Sequence, residues 1–483
     1  MNRNRLDEII DSKRDLFLKV SDTIWDYSET RFQEVRSAEL LCTVLEAEGF
    51  TVQRGVAGLA TAFVASFGSG TPVVAVLGEY DALSGLSQKS GVARPEPLTA
   101  GGNGHGCGHN MLGAGALAAA VAVKHFLDET GLGGTIRYYG CPAEEGGSGK
   151  AFMVRAGAFD DVDVALTWHP LTHNAIFSVN TLANYQVRYQ FHGRSAHAGF
   201  TPHLGRSALD AVELMNVGVN YLREHIIPEA RVHYAVTNSG GDSPNVVQAE
   251  AEVRYLIRAP QIGQLREIYA RVCDIARGAA LMTGTECEFV FEKGCSNFVP
   301  NRVLEKLLYE NFIEVGAPVP DEQDLEFAAA IRLALSEEDI ASDLAMAGKF
   351  MAGKRPDIVK ALQEKRVADV ILPYEHLSLS LPGSTDVGDV SWVVPTAQLS
   401  TACNAFGTPG HSWHAVAQGR SGIAHKGMLT AGKVLARTAA AVLTSPAVAV
   451  KAKEELRESL GGAAYVCPIP AEVKPPTMTA QRD

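Results

Sequence analysis

Short, strongly apolar runs alternate with amphipathic segments through the first third of the chain. TAFVASF (Thr61 to Phe67), VVAVLG (Val73 to Gly78), TIRYYG (Thr135 to Gly140) and VDVALTW (Val162 to Trp168) lack polar alternation, and predict strands buried on both faces of an α/β sheet. Helical patterns flank them. An amphipathic helix is expected over Leu6 to Tyr27, a second from Ser37 that stops at Gly49, and an Ala-rich one from Met111 to Glu129.

After Asn184 the pattern changes. YQVRYQFH sets Tyr185, Val187, Tyr189 and Phe191 on one face and polar residues on the other, which is a half-exposed strand. A helix with Ala208, Val212, Met215, Val219 and Leu222 on one stripe follows, then VHYAVT, VRYLIR, a helix carrying Leu265, Ile268, Val272 and Ile275, and the strand ECEFVFE. This βαββαβ order predicts a ferredoxin-like sheet with helices on one side. It implies a second domain, residues 181–297, inserted into a first made of residues 1–180 and 298–483. Past Pro300 the α/β character returns and ends in an Ala-rich helix from about Gly419 to Leu443. Residues 318–373 are helical and charged but match no element that the α/β core needs, so they are expected to be a local insertion or surface cap. The tail after Ser445 is expected to be extended surface chain.

Composition narrows the function. The 483 residues carry a formal charge of -12, which argues against a nucleic-acid partner held by phosphate neutralisation. Residues 321–343 hold eight acids against the single base Arg332, so most of that charge belongs to the extra segment. Eight cysteines without a C-x-x-C pair fit a reducing compartment rather than a disulfide scaffold. The charged N-terminus has no apolar signal core, and the most apolar stretch, Leu112 to Val123, is shorter than the ~18 residues of a membrane span. A cytoplasmic protein with no membrane partner is the expectation.

Four segments hold candidate chemistry. In GGNGHGCGHN (Gly101 to Asn110) glycines let Cys107 and His109 converge as ligands for a zinc-like ion. The same turn also suits a phosphate at a helix N-terminus, or a Cys107 thiol nucleophile activated by His105 or His109. CPAEEGGSGK follows a buried strand, so Glu144 and Glu145 diverge and can take different jobs, one as metal ligand and one as base. VDVALTWHP ends in His169, and GTPGHSWH contains His411 and His414. Cys107, His109, Glu145, His169 and His411 together would supply five ligands, enough for two metals with a bridging water. GSGK lacks P-loop spacing and no G-x-S-x-G elbow is present.

The succession C-G-H, A-E-E-G, a strand-end His and a late H-S resembles the M20 family of metallopeptidases and amidohydrolases, in its aminoacylase-type branch. The resemblance implies a two-metal α/β catalytic domain with an inserted ferredoxin-like lid that also dimerises. It makes Cys107, His109, Glu145, His169 and His411 the ligands of two divalent ions, zinc or manganese, with Glu144 the catalytic base and Asp81 the carboxylate that orients the site. On the lid, His197 would reach a substrate oxyanion, while Asn245 and Arg258 would hold the substrate carbonyl and carboxylate. The implied substrate is an N-acyl amino acid with an aromatic acyl group (p-aminobenzoyl-glutamate foremost, benzoyl or indole-acetyl amides otherwise). The implied assembly is a homodimer, or a heterodimer with a related subunit, through the lid; the alternative to an active enzyme is a catalytically silent partner subunit of a two-component hydrolase. Asn110 stands where many members of the branch have Asp, removing a charge next to His109.

Overall fold

A computed structural model describes residues 3–377 and 380–476 of the chain. The chain opens with α1 (Arg3–Ser12), α2 (Arg14–Tyr27) and α3 (Val35–Ala47), followed by β1 (Thr51–Arg54), β2 (Phe63–Ser69) and β3 (Val73–Glu79). Next come α4 (His109–Thr130), β4 (Gly134–Cys141), α5 (Gly149–Arg155), β5 (Val164–Leu171) and the short β6 (Ala175–Ile176) and β7 (Asn180–Thr181). The single helix expected over Leu6 to Tyr27 is broken at Lys13, whose ψ of 12° leaves helical geometry. Its apolar stripe survives the break, because Leu6, Ile10, Phe17, Val20 and Ile24 are all buried against the same core.

β8 (Ala183–His192), α6 (Ala208–Leu222), β9 (Arg231–Asn238), β10 (Glu250–Ala259), α7 (Ile262–Thr283) and β11 (Glu286–Cys295) run in the βαββαβ order. They make a separate antiparallel sheet, order β11-β8-β10-β9. Tyr185, Val187, Tyr189 and Phe191 of β8 face α6 and α7 in a core of their own. β9 is an edge strand exposed along most of its length.

The remaining elements are α8 (Arg302–Val315), α9 (Glu322–Arg332), α10 (Glu337–Phe350), α11 (Pro356–Gln363), β12 (Ser380–Leu381), α12 (Val387–Ser391), β13 (Thr396–Ala402), α13 (Trp413–Gln418), α14 (Gly422–Thr444) and α15 (Ala447–Leu460). The main sheet has the order β1-β2-β4-β3-β5-β13-β6. Its centre is parallel, β4 with β3, β3 with β5 and β5 with β13. Layers on both faces bury β3 and β13 along their whole length, which is why the VVAVLG run of β3 carries no polar alternation.

Two expectations fail here. The chain after Ser445 is helical as far as Leu460 and irregular only over residues 461–476: α15 buries Ala449, Ala452 and Leu456 on one stripe and docks on α8, with Asn301 Nδ2 donating to Ala452 O at 2.9 Å. The charged segment is not a surface cap. Capping boxes start α9 (Asp321 with Asp324) and α10 (Ser336 with Asp339), and Ala328, Ile331, Ala347, Phe350 and Leu362 form a core with Ala405, Phe406, Ala417 and Ile423.

α4 is long and apolar enough to cross a membrane by length and composition, but 89% of its most apolar window is buried inside the protein. It packs against both the sheet and α14, at small residues. A Cβ on Gly115 would stand 2.7 Å from the Trp168 ring, and one on Gly432 3.1 Å from Gly115 O. Gly115→Ala should therefore destabilise the protein by about 1–3 kcal/mol through overpacking. Gly278→Ala, on α7 with nothing within 4 Å, should stabilise it by about 0.4–1 kcal/mol. Urea denaturation of the two variants checks the opposite signs.

Candidate metal centre

Because β3, β4 and β5 are parallel, their C-terminal ends share one edge of the sheet, the place where open α/β sheets hold ligands. Glu79 ends β3, Glu144 and Glu145 follow β4, and His169 lies near the end of β5. The Gly-rich turn before α4 brings Cys107 and His109 to this edge, and the loop before α13 brings His411. Gly108 supplies the left-handed turn between Cys107 and His109 at φ 75°. Ala143 (φ 59°) and His411 (φ 54°) take the same conformation without being glycine, a strain of the kind that gathers at functional sites.

Two sets of donor atoms result. Cys107, His109 and His169 place one atom each within 4.8 Å of one another, and so do Cys107, Glu145 and His411. Cys107 belongs to both, and its Sγ lies 3.4 Å from His169 Nε2. His411 Nε2 lies 3.3 Å from Glu145 Oε1. Asp81 ties the sets together, with Oδ1 2.8 Å from His109 Nδ1 and Oδ2 accepting from Glu145 N at 2.9 Å. A third set joins Glu79, His109 and Glu144.

The electrostatics suit a cation. Burial and the Glu145 charge push the Cys107 thiol up, but the His169 and His109 imidazoles bring it down to about 6. Burial raises Glu145 too, yet His411 and His109 hold it at about 2. Hydrogen bonds to Cys107 and Glu145 push His411 up to about 10. Glu144 rises well above the usual carboxylate range, through burial and then the Glu79 charge. Among the described residues His109 Nε2 is buried without a hydrogen-bond partner, an arrangement that metal ligation would satisfy. Thiolate, imidazole and carboxylate are a zinc-like donor set.

The other candidates go elsewhere. His105 Nε2 lies 3.0 Å from Ile24 O, and His414 stacks on Trp413 with Nε2 3.3 Å from Ala334 O. Asn110 is a structural clip whose Nδ2 donates to Ser21 Oγ and Gly419 O, both at 3.0 Å, which a carboxylate at this position would not do. On the separate sheet, His197 Nδ1 accepts from Gly199 N at 3.1 Å, Asn245 O accepts from Ala198 N at 2.9 Å, and Arg258 donates to Pro382 O at 2.9 Å. None of His197, Asn245 and Arg258 lines the cavity of about 500 Å³ that opens on the donor cluster.

Sequence reading missed the charge beneath the cluster. Lys150, fully buried on α5, places Nζ 2.5 Å from Glu79 Oε1 and 2.5 Å from Asp386 Oδ1. Burial raises the Glu79 carboxyl, but this ammonium and His109 bring it below the usual range. The signal was a lysine just inside a helix opened by Glu-Glu-Gly-Gly, with acids at two other loop edges.

A model of peptidase family M20/M25/M40 matches residues 75–440. The chain belongs to that family. It is 51% identical over 477 residues to one of the subunits of p-aminobenzoyl-glutamate hydrolase from Escherichia coli (strain K12), covering 97% of this chain and 98% of that protein. It is 31% identical to Xaa-Arg dipeptidase of Mus musculus, over 65% of this chain and 72% of that one. Among solved structures, an aminobenzoyl-glutamate utilization protein from Klebsiella pneumoniae matches with a TM-score of 0.60 at 18% identity, covering 91% of this chain and 98% of that one. As an M20 peptidase relative, the chain is a hydrolase of amide bonds.

Lys150→Met would leave Glu79 and Asp386 buried and unpaired, at an expected cost of about 3–5 kcal/mol. Chemical denaturation of the variant against the parent measures it.

Proposed function

We propose that this M20 chain hydrolyses the amide bond of p-aminobenzoyl-glutamate, giving p-aminobenzoate and glutamate. The observation that carries the reading is the complete donor cluster of Cys107, His109, Glu145, His169 and His411 with the Glu144 carboxyl beside it. The substrate is the one named for the relative at 51% identity.

The five donors would hold two divalent ions, zinc or manganese. Such ions, when bound, polarise a carbonyl and lower the pKa of a water. The chain's own residues do the rest. Glu144 removes a proton from the attacking water and returns it to the leaving amine. With cations held by the five donors, the raised Glu144 pKa would fall toward that task. Asp81 fixes the His109 ring through Nδ1 and the Glu145 backbone through its N–H, so that both donors keep their aim. His197, Asn245 and Arg258 act from the lid, on the substrate oxyanion, carbonyl and carboxylate, when a lid closes over the cavity. That lid is either this chain's own or the lid of a second subunit. The exposed edge strand β9, with Tyr234 and Val236 outward, suits pairing with a second copy or a related subunit.

A silent partner of a two-component hydrolase has no need for an intact donor set, base and strained loop. The test is to assay the purified chain alone with added Mn²⁺ or Zn²⁺; metal-loaded protein that stays inert on N-acyl glutamates supports the silent-partner reading. Glu144→Gln should lose about 10²–10⁴-fold in kcat while keeping its metal content; substantial turnover in this variant removes Glu144 from the role of base. Asp81→Asn should instead weaken metal affinity by about 10–100-fold, read by metal titration.

A further inference from the structure

The acidic helical segment does not stand apart from the cavity that holds the donor cluster. Asp339, Ser342, Asp343, Met346 and Phe350, all on α10, line it together with Glu144, Glu145, His169 and His411. One residue holds this helix in register with the catalytic loops. Asp343 Oδ1 accepts from Thr172 Oγ1 at 2.8 Å and lies 3.0 Å from His173 Nε2, while Oδ2 accepts from Gly407 N at 2.7 Å. Thr172 and His173 follow closely on His169, and Gly407 leads into His411. The helix is thus clamped to the two loops that carry metal donors, rather than laid over them.

Past Asp343 the side of α10 turned to the cavity is apolar and aromatic, carried by Met346 and Phe350. Phe350 packs on Phe177 with ring centroids 5.5 Å apart, and the His173 ring meets Phe350 and Phe406 edge-on. Phe177 and Met346 are only partly buried and both line the cavity. In the same cavity a polar group is left over: Asn404 is 9% exposed, and its Oδ1 is buried with no hydrogen-bond partner among the described residues. A buried acceptor of this kind costs stability unless a ligand donor meets it.

We propose that the acidic segment builds the acyl-group subsite: Met346 and Phe350 of α10, with Phe177, receive a flat aromatic acyl group, and Asn404 takes a hydrogen bond from a donor on its ring. This rests on the hydrolase reading above. A thioether and two phenyl rings favour an aryl ring over a small alkyl or charged acyl group. An unpaired amide acceptor selects a ring that carries an amino group, since a ring without one leaves it unsatisfied.

The experiment uses the full chain loaded with Mn²⁺ and three glutamate amides that differ only in acyl group: p-aminobenzoyl, benzoyl and acetyl. In Met346→Ala and Phe177→Ala the ratio of kcat/KM for benzoyl over acetyl should fall by about tenfold or more, because only the aryl ring uses the slot. In Asn404→Ala the ratio of p-aminobenzoyl over benzoyl should fall by about tenfold. Ratios equal to the parent's overturn the subsite, because a merely structural loss lowers all three substrates together. If an alanine variant does not fold, inhibition of the parent decides: benzoate should compete about tenfold or more tighter than acetate, and equal inhibition overturns the slot. A parent that turns over none of the three amides overturns the hydrolase reading and the subsite with it, whereas turnover with unchanged ratios overturns the subsite alone.

Discussion

Both oxygens of the Asp81 carboxylate are committed, one to the His109 ring and the other to the Glu145 backbone. These contacts join the turn before α4 to the loop after β4, and they decide whether two sets of donors face each other or point apart. Asp81 is itself buried just past the end of β3. Its position follows from the parallel centre of the sheet, which delivers three strand ends to one edge. Helices α4 and α14 can lie close enough to seal that sheet only because glycines stand where they meet the sheet and each other. The site depends on this packing more than on any one ligand.

Such an edge gathers negative charge. Glu79, Asp81, Glu144, Glu145 and Asp386 lie around one cluster, and burial alone would drive several of them to the protonated form. Lys150 offsets two of them from below, and the imidazoles offset others from above. Glu144 is pushed above the usual carboxylate range by burial first and then by the Glu79, Glu145 and Asp386 charges, whereas Glu145, also buried, is brought below it by His411 and His109. One environment thus moves two adjacent glutamates in opposite directions, the kind of separation that acid–base chemistry uses.

The acidity of the chain acquires a location in the same way. Its densest run belongs to α9 and α10, where Asp321, Asp324 and Asp339 serve helix capping and Asp343 clamps α10 to the loops bearing His169 and His411. Four of the eight acids in residues 321–343 thus serve local structure. The apolar residues of the same helices, Ala328, Ile331, Ala347 and Phe350, bind the segment to the core.

From the sequence alone, the double-sided burial of the central strands, the βαββαβ order and the donor residues were legible, because periodicity and glycine-rich turns are local signals. The amphipathic stripe of α15 was also present in Ala449, Ala452 and Leu456, but a proline-rich end masked it. What the chain could not disclose on its own is which distant residues meet: that Lys150 neutralises Glu79 and Asp386, that Asn110 clips α4 to Ser21 and Gly419, and that α10 forms a cavity wall. Each is a pairing of groups far apart in the chain, set by how sheet and helices close on one another. Local patterns specify the elements, whereas charge compensation and cavity shape exist only between elements, and so only the tertiary structure decided them.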